Sequence, residues 1–450
     1  MSFRDDFIWG AATSSYQIEG GAVADGKGPS IWDVYCEEPG KIIDGSSGAV
    51  ACDHYHRYEE DVALMAEIGL KGYRFSLSWP RIIPDGDGTV NEAGLDFYDR
   101  LVDALLARNI QPFVTLYHWD LPQALFSRGG WMNPSSPDWF GKYAEVIAKR
   151  LGDRVSHWFT LNEPQCFIGL GLWSGDQAPG LKMGWKDILL AAHHALLAHG
   201  RSVQAIREHS KLPSKIGAAP TGTPMLPVEE TDENIRVAYQ ATFSIPERTT
   251  WNFAWYTDPI FLGYYPEEGL RVFGKDVPKF GEADMELINQ PLDFCGLNIY
   301  HGRRIDAVGN RLDRPEGFPI TSTKWPLTPD ALYWGPRFFH QRYELPIYIT
   351  ENGCSMNDWV DCDGRVPDLQ RLDYHKRYLR AYRKAAADGV PLHGYFLWSL
   401  MDNFEWSKGY TERFGIIHVD YQTQERTLKE SAKWYREVIA SNGESLGSEG

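Results

Sequence analysis

The chain has 450 residues, enough for two or three ordinary domains or for one α/β barrel with long loops. Its composition is globular, 43% hydrophobic and 24% charged, and a net charge of -16 disfavours nucleic acid as a partner while leaving small neutral substrates open. No apolar run reaches the roughly 18 residues of a membrane-spanning helix, so no membrane partner is expected.

Residues 7–17 are rich in small side chains and read as a buried first strand that ends at Gln17, Glu19 and two glycines. Residues 21–52 are studded with Gly and Pro and predict a long loop. Apolar spacing at Tyr58, Val62, Met65 and Ile68 predicts a helix over 53–68, with Asp53 suited to cap it and Gly69 to stop it. Residues 73–79 read as a strand ended by Pro80, 92–107 as a helix and 111–117 as strand three. A helix over 138–151 leads into Trp158-Phe159-Thr160-Leu161-Asn162-Glu163-Pro164. There, apolar and β-prone residues run into a carboxylate, and the proline cannot continue the ladder.

Residues 188–208 predict a long helix, 215–221 a short strand, 233–253 a helix despite Pro246, and 293–300 strand six. Residues 301–335, with Trp325 and Trp334, read as an irregular insertion, and a helix follows near 336–343. Strand seven, Ile347-Tyr348-Ile349-Thr350-Glu351-Asn352-Gly353, repeats the plan of strand four. A helix over 368–387, strand eight over 392–400 and a closing helix over 427–439 complete the chain. Eight strands alternating with helices predict one domain spanning 1–450, a (β/α)8 TIM barrel with long loops at the carboxyl ends of its strands. No GxGxxG or P-loop pattern follows any early strand, so a nucleotide cofactor is not expected.

The strand ends deliver Gln17, Arg74, His118-Trp119-Asp120, Asn162-Glu163, Asn298, Tyr300, Glu351-Asn352 and Trp398 to one rim, with Asp402, Glu405 and Trp406 just beyond. Neutral polyols need that mixture: indole faces for the apolar side of a sugar ring, and paired donors and acceptors for its hydroxyls. Two glutamates suit glycoside hydrolysis, in which one carboxyl donates a proton and the other acts ionised. Taken singly, either glutamate reads as well as a surface or salt-bridge residue. Arg74 reads equally as a site residue or half of a structural ion pair, and Asp120 as a site residue or loop support. His54 and His56 beside Asp53 lack further ligands at diagnostic spacing, so no metal is expected. Six cysteines form no CxxC pair; Cys354 and Cys362 are near enough in sequence to bridge a short loop, but free thiols are the simpler account. Met1-Ser2-Phe3-Arg4-Asp5-Asp6-Phe7 lacks the basic and apolar regions of a signal peptide, and a cytoplasmic location is expected.

Three motifs together resemble glycoside hydrolase family 1, the β-glucosidases and their relatives, over nearly the whole chain. They are Phe7-Ile8-Trp9-Gly10-Ala11-Ala12-Thr13-Ser14-Ser15-Tyr16-Gln17-Ile18-Glu19-Gly20, Thr160-Leu161-Asn162-Glu163-Pro164 and Ile349-Thr350-Glu351-Asn352-Gly353. The resemblance implies a retaining (β/α)8 hydrolase without cofactor, with Glu163 as acid/base and Glu351 as nucleophile. It implies Gln17, His118, Asn162, Trp398, Glu405 and Trp406 around the innermost sugar, with Trp119 as their neighbour. Asn298 and Tyr300 then contact sugar and nucleophile, Arg74 supports that nucleophile, and Trp325 forms a platform on the leaving-group side. Trp173, Leu172 and Cys166 are lesser candidates for the outer wall. The expected substrates are small neutral β-glycosides such as cellobiose, with β-galactoside and β-fucoside side activity; oligomeric state is left open. Glu405-Trp406 argues against the rival 6-phospho-β-glycosidase, because a carboxylate there would repel phosphate. A noncatalytic glycan-binding barrel is the rival from another class, and the intact Glu163 and Glu351 argue against it.

Overall fold

Short strands rich in β-branched and aromatic residues, each followed by enough chain to cross back, favour parallel pairing. In the computed structural model, which describes residues 3–447, eight strands pair in this way. They are β1 (Ile8–Ala12), β2 (Gly72–Ser76), β3 (Gln111–Tyr117), β4 (His157–Asn162), β5 (Lys215–Ala219), β6 (Phe294–Asn298), β7 (Ile347–Asn352) and β8 (Leu392–Trp398). Sequence neighbours are parallel neighbours, and β1 pairs with both β2 and β8, so the sheet closes into the expected barrel. The carboxyl ends of all eight strands therefore share one rim.

Aromatic rings fill the barrel interior. Phe113, Phe159, Phe294, Tyr348 and Phe396 form one buried cluster with Trp398 and Phe414. The Phe113 and Phe396 centroids lie 4.8 Å apart, and those of Phe294 and Tyr348 lie 5.0 Å apart. Glycines on neighbouring strands make room for these rings: a Cβ on Gly10 would stand 2.5 Å from Phe396, and one on Gly217 would stand 2.2 Å from Phe294. Large and small residues thus complement each other around the barrel. A larger apolar layer joins the outside of the strands to the helices, through residues such as Met65 of His54–Ile68 and Tyr143 of Ser136–Leu151.

Several expectations need correction. The first strand stops at Ala12, and Gln17 lies on the short helix Ser15–Ile18. Pro80 sits in the first turn of helix Trp79–Ile82, where a missing N–H leaves no bond unmade. The expected loop over 21–52 contains helix Ile31–Glu37, started by a capping box in which Ser30 and Asp33 bond each other's backbone amides. The helix expected over 233–253 stops at Phe243, since Pro246 cannot be accommodated within a continuous helix, and the next helix, Ala254–Leu262, begins only beyond that span. Trp334 belongs to helix Ala331–Tyr343 rather than to the insertion. Residues 426–428 form a strand against Ile417–Val419 ahead of the closing helix Glu430–Ala440. Asp53 makes no side-chain cap; its carboxylate engages His56 at 2.6 Å. Cys354 and Cys362 are both free. Among the described residues no helix is long and apolar enough to cross a membrane.

The interior makes a direct prediction. Phe396→Ala removes a fully buried ring whose space neighbouring glycines cannot refill, and it should reduce unfolding free energy by about 3–5 kcal/mol. The expected readout is a lower denaturant midpoint with unchanged far-UV circular dichroism.

Candidate active site

Register brings the rim residues together. Ala12 of β1 pairs with Arg74 of β2, and Asn298 of β6 pairs with Glu351 of β7. Past β4 the ladder continues for one residue, with the Glu163 amide donating to the Ala219 carbonyl at 2.9 Å. Pro164, without an N–H, then opens helix Pro164–Ile168, and the chain turns at Glu163 with φ 50° and ψ 67°. Trp119 and Trp406 also have positive φ, 82° and 51°. Such backbone is unfavourable for bulky residues and persists where surrounding contacts hold it.

Arg74 is the hub. Its side chain is 1% exposed, so its charge must be satisfied by protein. Nη1 donates to Glu351 Oε1 at 2.6 Å and to the Thr350 carbonyl at 3.1 Å; Nη2 donates to Asn162 Oδ1 at 2.6 Å; Nε donates to Thr115 Oγ1 at 3.2 Å. Beneath it, the Phe159 ring lies 5.0 Å from the guanidinium carbon, which ties the site to the barrel interior. The Tyr300 hydroxyl donates to Glu351 Oε2 at 2.7 Å. Asn298 Nδ2 donates to Glu163 Oε1 at 2.6 Å and to Asn162 Oδ1 at 3.0 Å, and Asn298 also supports the charged form of Glu351. Thr350 Oγ1 donates to Asn298 Oδ1 at 2.6 Å, which fixes the orientation of the side-chain amide.

These partners separate the two carboxyls. Burial raises both, but Arg74, Tyr300 and Asn298 draw Glu351 back toward its ionised form. Glu163 has burial and then the nearby charge of Glu351 against ionisation, and its pKa rises to about 8, opposed by bonds from Asn298 and Cys166. At neutral pH the proton of the pair therefore resides on Glu163.

The remaining residues build a wall with both apolar and polar parts. Asn162 Nδ2 donates to His118 Nε2 at 3.1 Å, leaving the buried His118 Nδ1 without a partner; burial holds this imidazole neutral. Trp119 spends its indole N–H on the Asn162 carbonyl at 3.0 Å, so it offers a ring rather than a donor. The Trp119 and Trp406 rings are 4.5 Å apart. Gln17 is turned inward, donating to Asn403, Phe404 and Glu405 at 3.0, 2.9 and 3.3 Å, and so anchors the loop after β8. Half-buried Glu405 has its pKa raised to about 8 by burial, then by Glu412 and by the two site glutamates. Trp325 packs 4.9 Å from Tyr300, ring to ring, at the outer edge.

Other rim residues turn away. Asp402 is held by Lys429 at 2.7 Å and Arg413 at 2.5 Å in a buried ion-pair network. Asn352 bonds the Ile299 carbonyl and Tyr395 behind the strands. Asp120 accepts from Ser15 at 3.0 Å, supporting the loop after β3. His54 pairs with Asp61, which also binds Arg426, and among the described residues no group of His, Cys, Asp and Glu is arranged to hold a metal ion. One partner, Thr350, escaped the sequence reading, and another, Cys166, was expected in the outer wall rather than at Glu163. Thr350 orients Asn298, and the Cys166 thiol donates to Glu163 Oε2 at 3.1 Å. The spacing of three from Glu163 into a helix was the available signal for the cysteine.

Residues 1–444 match the sequence profile of glycosyl hydrolase family 1. The chain is 44% identical over 450 residues to β-glucosidase A of Thermotoga maritima, covering 98% of each protein. It is 46% identical over 453 residues to β-glucosidase A of Acetivibrio thermocellus, covering 98% of this chain and 99% of that one. The solved family 1 β-glucosidase of Thermotoga maritima superposes with a TM-score of 0.90 at 43% identity, over 98% of this chain and 99% of that chain. Structures of that enzyme include complexes with deoxynojirimycin and with galacto-hydroximolactam. With the profile matched across nearly its whole length, the chain belongs to glycosyl hydrolase family 1.

Proposed function

We propose that this chain is a retaining β-glucosidase that removes terminal non-reducing β-D-glucosyl residues from small neutral β-glycosides such as cellobiose. The observation that carries this reading is the pair of buried glutamates linked through Asn298, Asn162 and Arg74: burial and a neighbouring charge hold the proton on Glu163, while Arg74, Tyr300 and Asn298 oppose the effect of burial on Glu351. Ionised Glu351 attacks the anomeric carbon while Glu163 gives its proton to the glycosidic oxygen; the carbon–oxygen bond breaks, the alcohol leaves and a glycosyl ester forms on Glu351. Glu163, now ionised, takes a proton from water as that water attacks the anomeric carbon and releases Glu351. Two displacements at one carbon restore its configuration. Only these side chains and water are used, so the reading invokes no cofactor.

Arg74 and Tyr300 orient the nucleophile. His118, Trp398, Glu405 and Trp406 face the sugar in this account, with Gln17 acting chiefly through the loop that carries Glu405. The acidic groups that, after burial, raise the Glu405 pKa, Glu412 and Glu351 first among them, disfavour a 6-phosphate in the same way. Tolerance of β-galactosides and β-fucosides is consistent with the galacto-configured ligand held by the Thermotoga maritima relative. We assign 1–450 to one catalytic barrel domain. A cytoplasmic location suits six free cysteines, which a reducing compartment maintains.

With aryl β-glucosides, Glu351→Gly should lower kcat/KM by at least about 10⁴-fold, and early wild-type product observed by proton NMR should be the β-anomer. Early α-anomer would refute double displacement. The pH profile follows from the raised pKa of Glu163: the acid must be protonated to work, so kcat/KM should fall as pH rises through about 8. On an unactivated glucoside, Glu163→Gln should lower activity by about 10²–10⁴-fold and remove that alkaline limb.

A further inference from the structure

Beside the pocket lies a cavity of about 750 Å³ that contains neither glutamate. A chain of contacts links it to them: Tyr300, bonded to Glu351, packs on Trp325, and Trp325 packs on His301 of the cavity wall. His301 and Pro326 in its wall follow Tyr300 and Trp325 in sequence, and the His301 and Trp325 rings are 5.8 Å apart. Asn252, also in the wall, accepts on its carbonyl from Gln165, two residues beyond Glu163, at 3.3 Å. A leaving group attached to a sugar held at Glu163 and Glu351 can therefore extend toward this space.

Its charge is unlike that of the chain as a whole. Arg303, Arg304, Arg311 and Arg314 line it, in a protein with net charge -16. A tight turn gathers them: Asp306 accepts from the amides of Val308 and Asn310 at 3.0 and 2.9 Å, and the Leu312 amide returns to the Arg304 carbonyl at 3.0 Å. The turn lays Arg311 opposite Ile305. Among the described residues none of the four arginines has a carboxylate within ion-pair distance; Arg314 donates only to the Lys324 carbonyl, at 3.4 Å. Glu247 and Asp313 are the acidic members of the lining, so positive charge is in excess. The buried His301 Nδ1 has no partner, and Trp251, 44% exposed, offers an aromatic face in the same wall.

Unpaired guanidinium groups around a concave surface recognise carboxylates through paired hydrogen bonds, whereas the acidic remainder of the protein repels anions. We propose that this cavity receives the leaving group of the substrate, and that its arginines select β-glucosides whose leaving group carries an anionic substituent such as a carboxylate. The inference rests on the glycosidase reading above and names the substrate class of that site.

The test uses two β-glucosides of matched phenol acidity, one made from 3-(4-hydroxyphenyl)propanoate and one from its primary amide, with 4-nitrophenyl β-glucoside as control. Wild-type protein should show about tenfold higher kcat/KM for the carboxylate, mainly through KM. The ratio should shrink in salt on the order of 0.5 M. In Arg303→Gln/Arg311→Gln the two substrates should become equal, while turnover of the 4-nitrophenyl glucoside stays at its wild-type value. Equal turnover of carboxylate and amide by wild type, with the control glucoside hydrolysed normally, would overturn the substrate class alone. A preference that survives in the double variant would overturn the role of these arginines. Failure to hydrolyse the control glucoside would instead overturn the glycosidase reading, and this inference with it.

Discussion

The buried ion pair between Arg74 and Glu351 is the constraint on which the site depends. Burying either charge alone would be strongly unfavourable, and even a pair is stable only when its remaining donors and acceptors are satisfied. Arg74 meets that condition by bonding Thr115, Asn162 and the Thr350 carbonyl as well as Glu351, which draws β2, β3, β4 and β7 into one network. The fold follows the same requirement in reverse. Only a closed barrel brings four separate strand ends around one guanidinium, and the Phe159 ring below it is part of the aromatic interior.

Charge counting then explains the division of labour. One arginine balances one carboxylate, and the nearby Glu163 lowers its electrostatic energy by keeping a proton. Glu405 is pushed the same way by burial and by its acidic neighbours. The site thus holds acidic groups in more than one protonation state without a metal ion or a second internal cation being needed for the balance. Asn298 is the coupling element, since its amide, oriented by Thr350, donates to Glu163 and to Asn162, and Arg74 binds both Asn162 and Glu351.

The barrel was legible because its strands carry continuous apolar and β-prone runs that end in polar residues, and β3 matches its expected span of 111–117. Glu163, Glu351 and Arg74 were legible for the same reason: polar groups at the ends of buried strands have few other places to go. What stayed hidden depended on side-chain direction. Gln17 was expected to face sugar but points into the loop after β8, and Trp119 uses its N–H on the backbone of Asn162. Asp402 and Asn352 share the rim by sequence yet bond behind it. Sequence spacing gives the strand end, whereas the rotamer that decides between pocket and scaffold is set by contacts hundreds of residues away. The arginine-lined cavity was equally invisible, because it requires the turn at Asp306 to lay Arg311 opposite Ile305 and the chain near Trp251 to close the far wall.

The most direct test of the coupled pair is the Glu163 carboxyl titration, followed by carbon-13 NMR in wild type and in Glu351→Gln. The account predicts a Glu163 pKa of about 8 in wild type and a distinctly lower value in the variant, where burial persists but the neighbouring charge is gone. A Glu163 that titrates in the ordinary carboxylate range in wild type, or at the same raised value in both proteins, would contradict it.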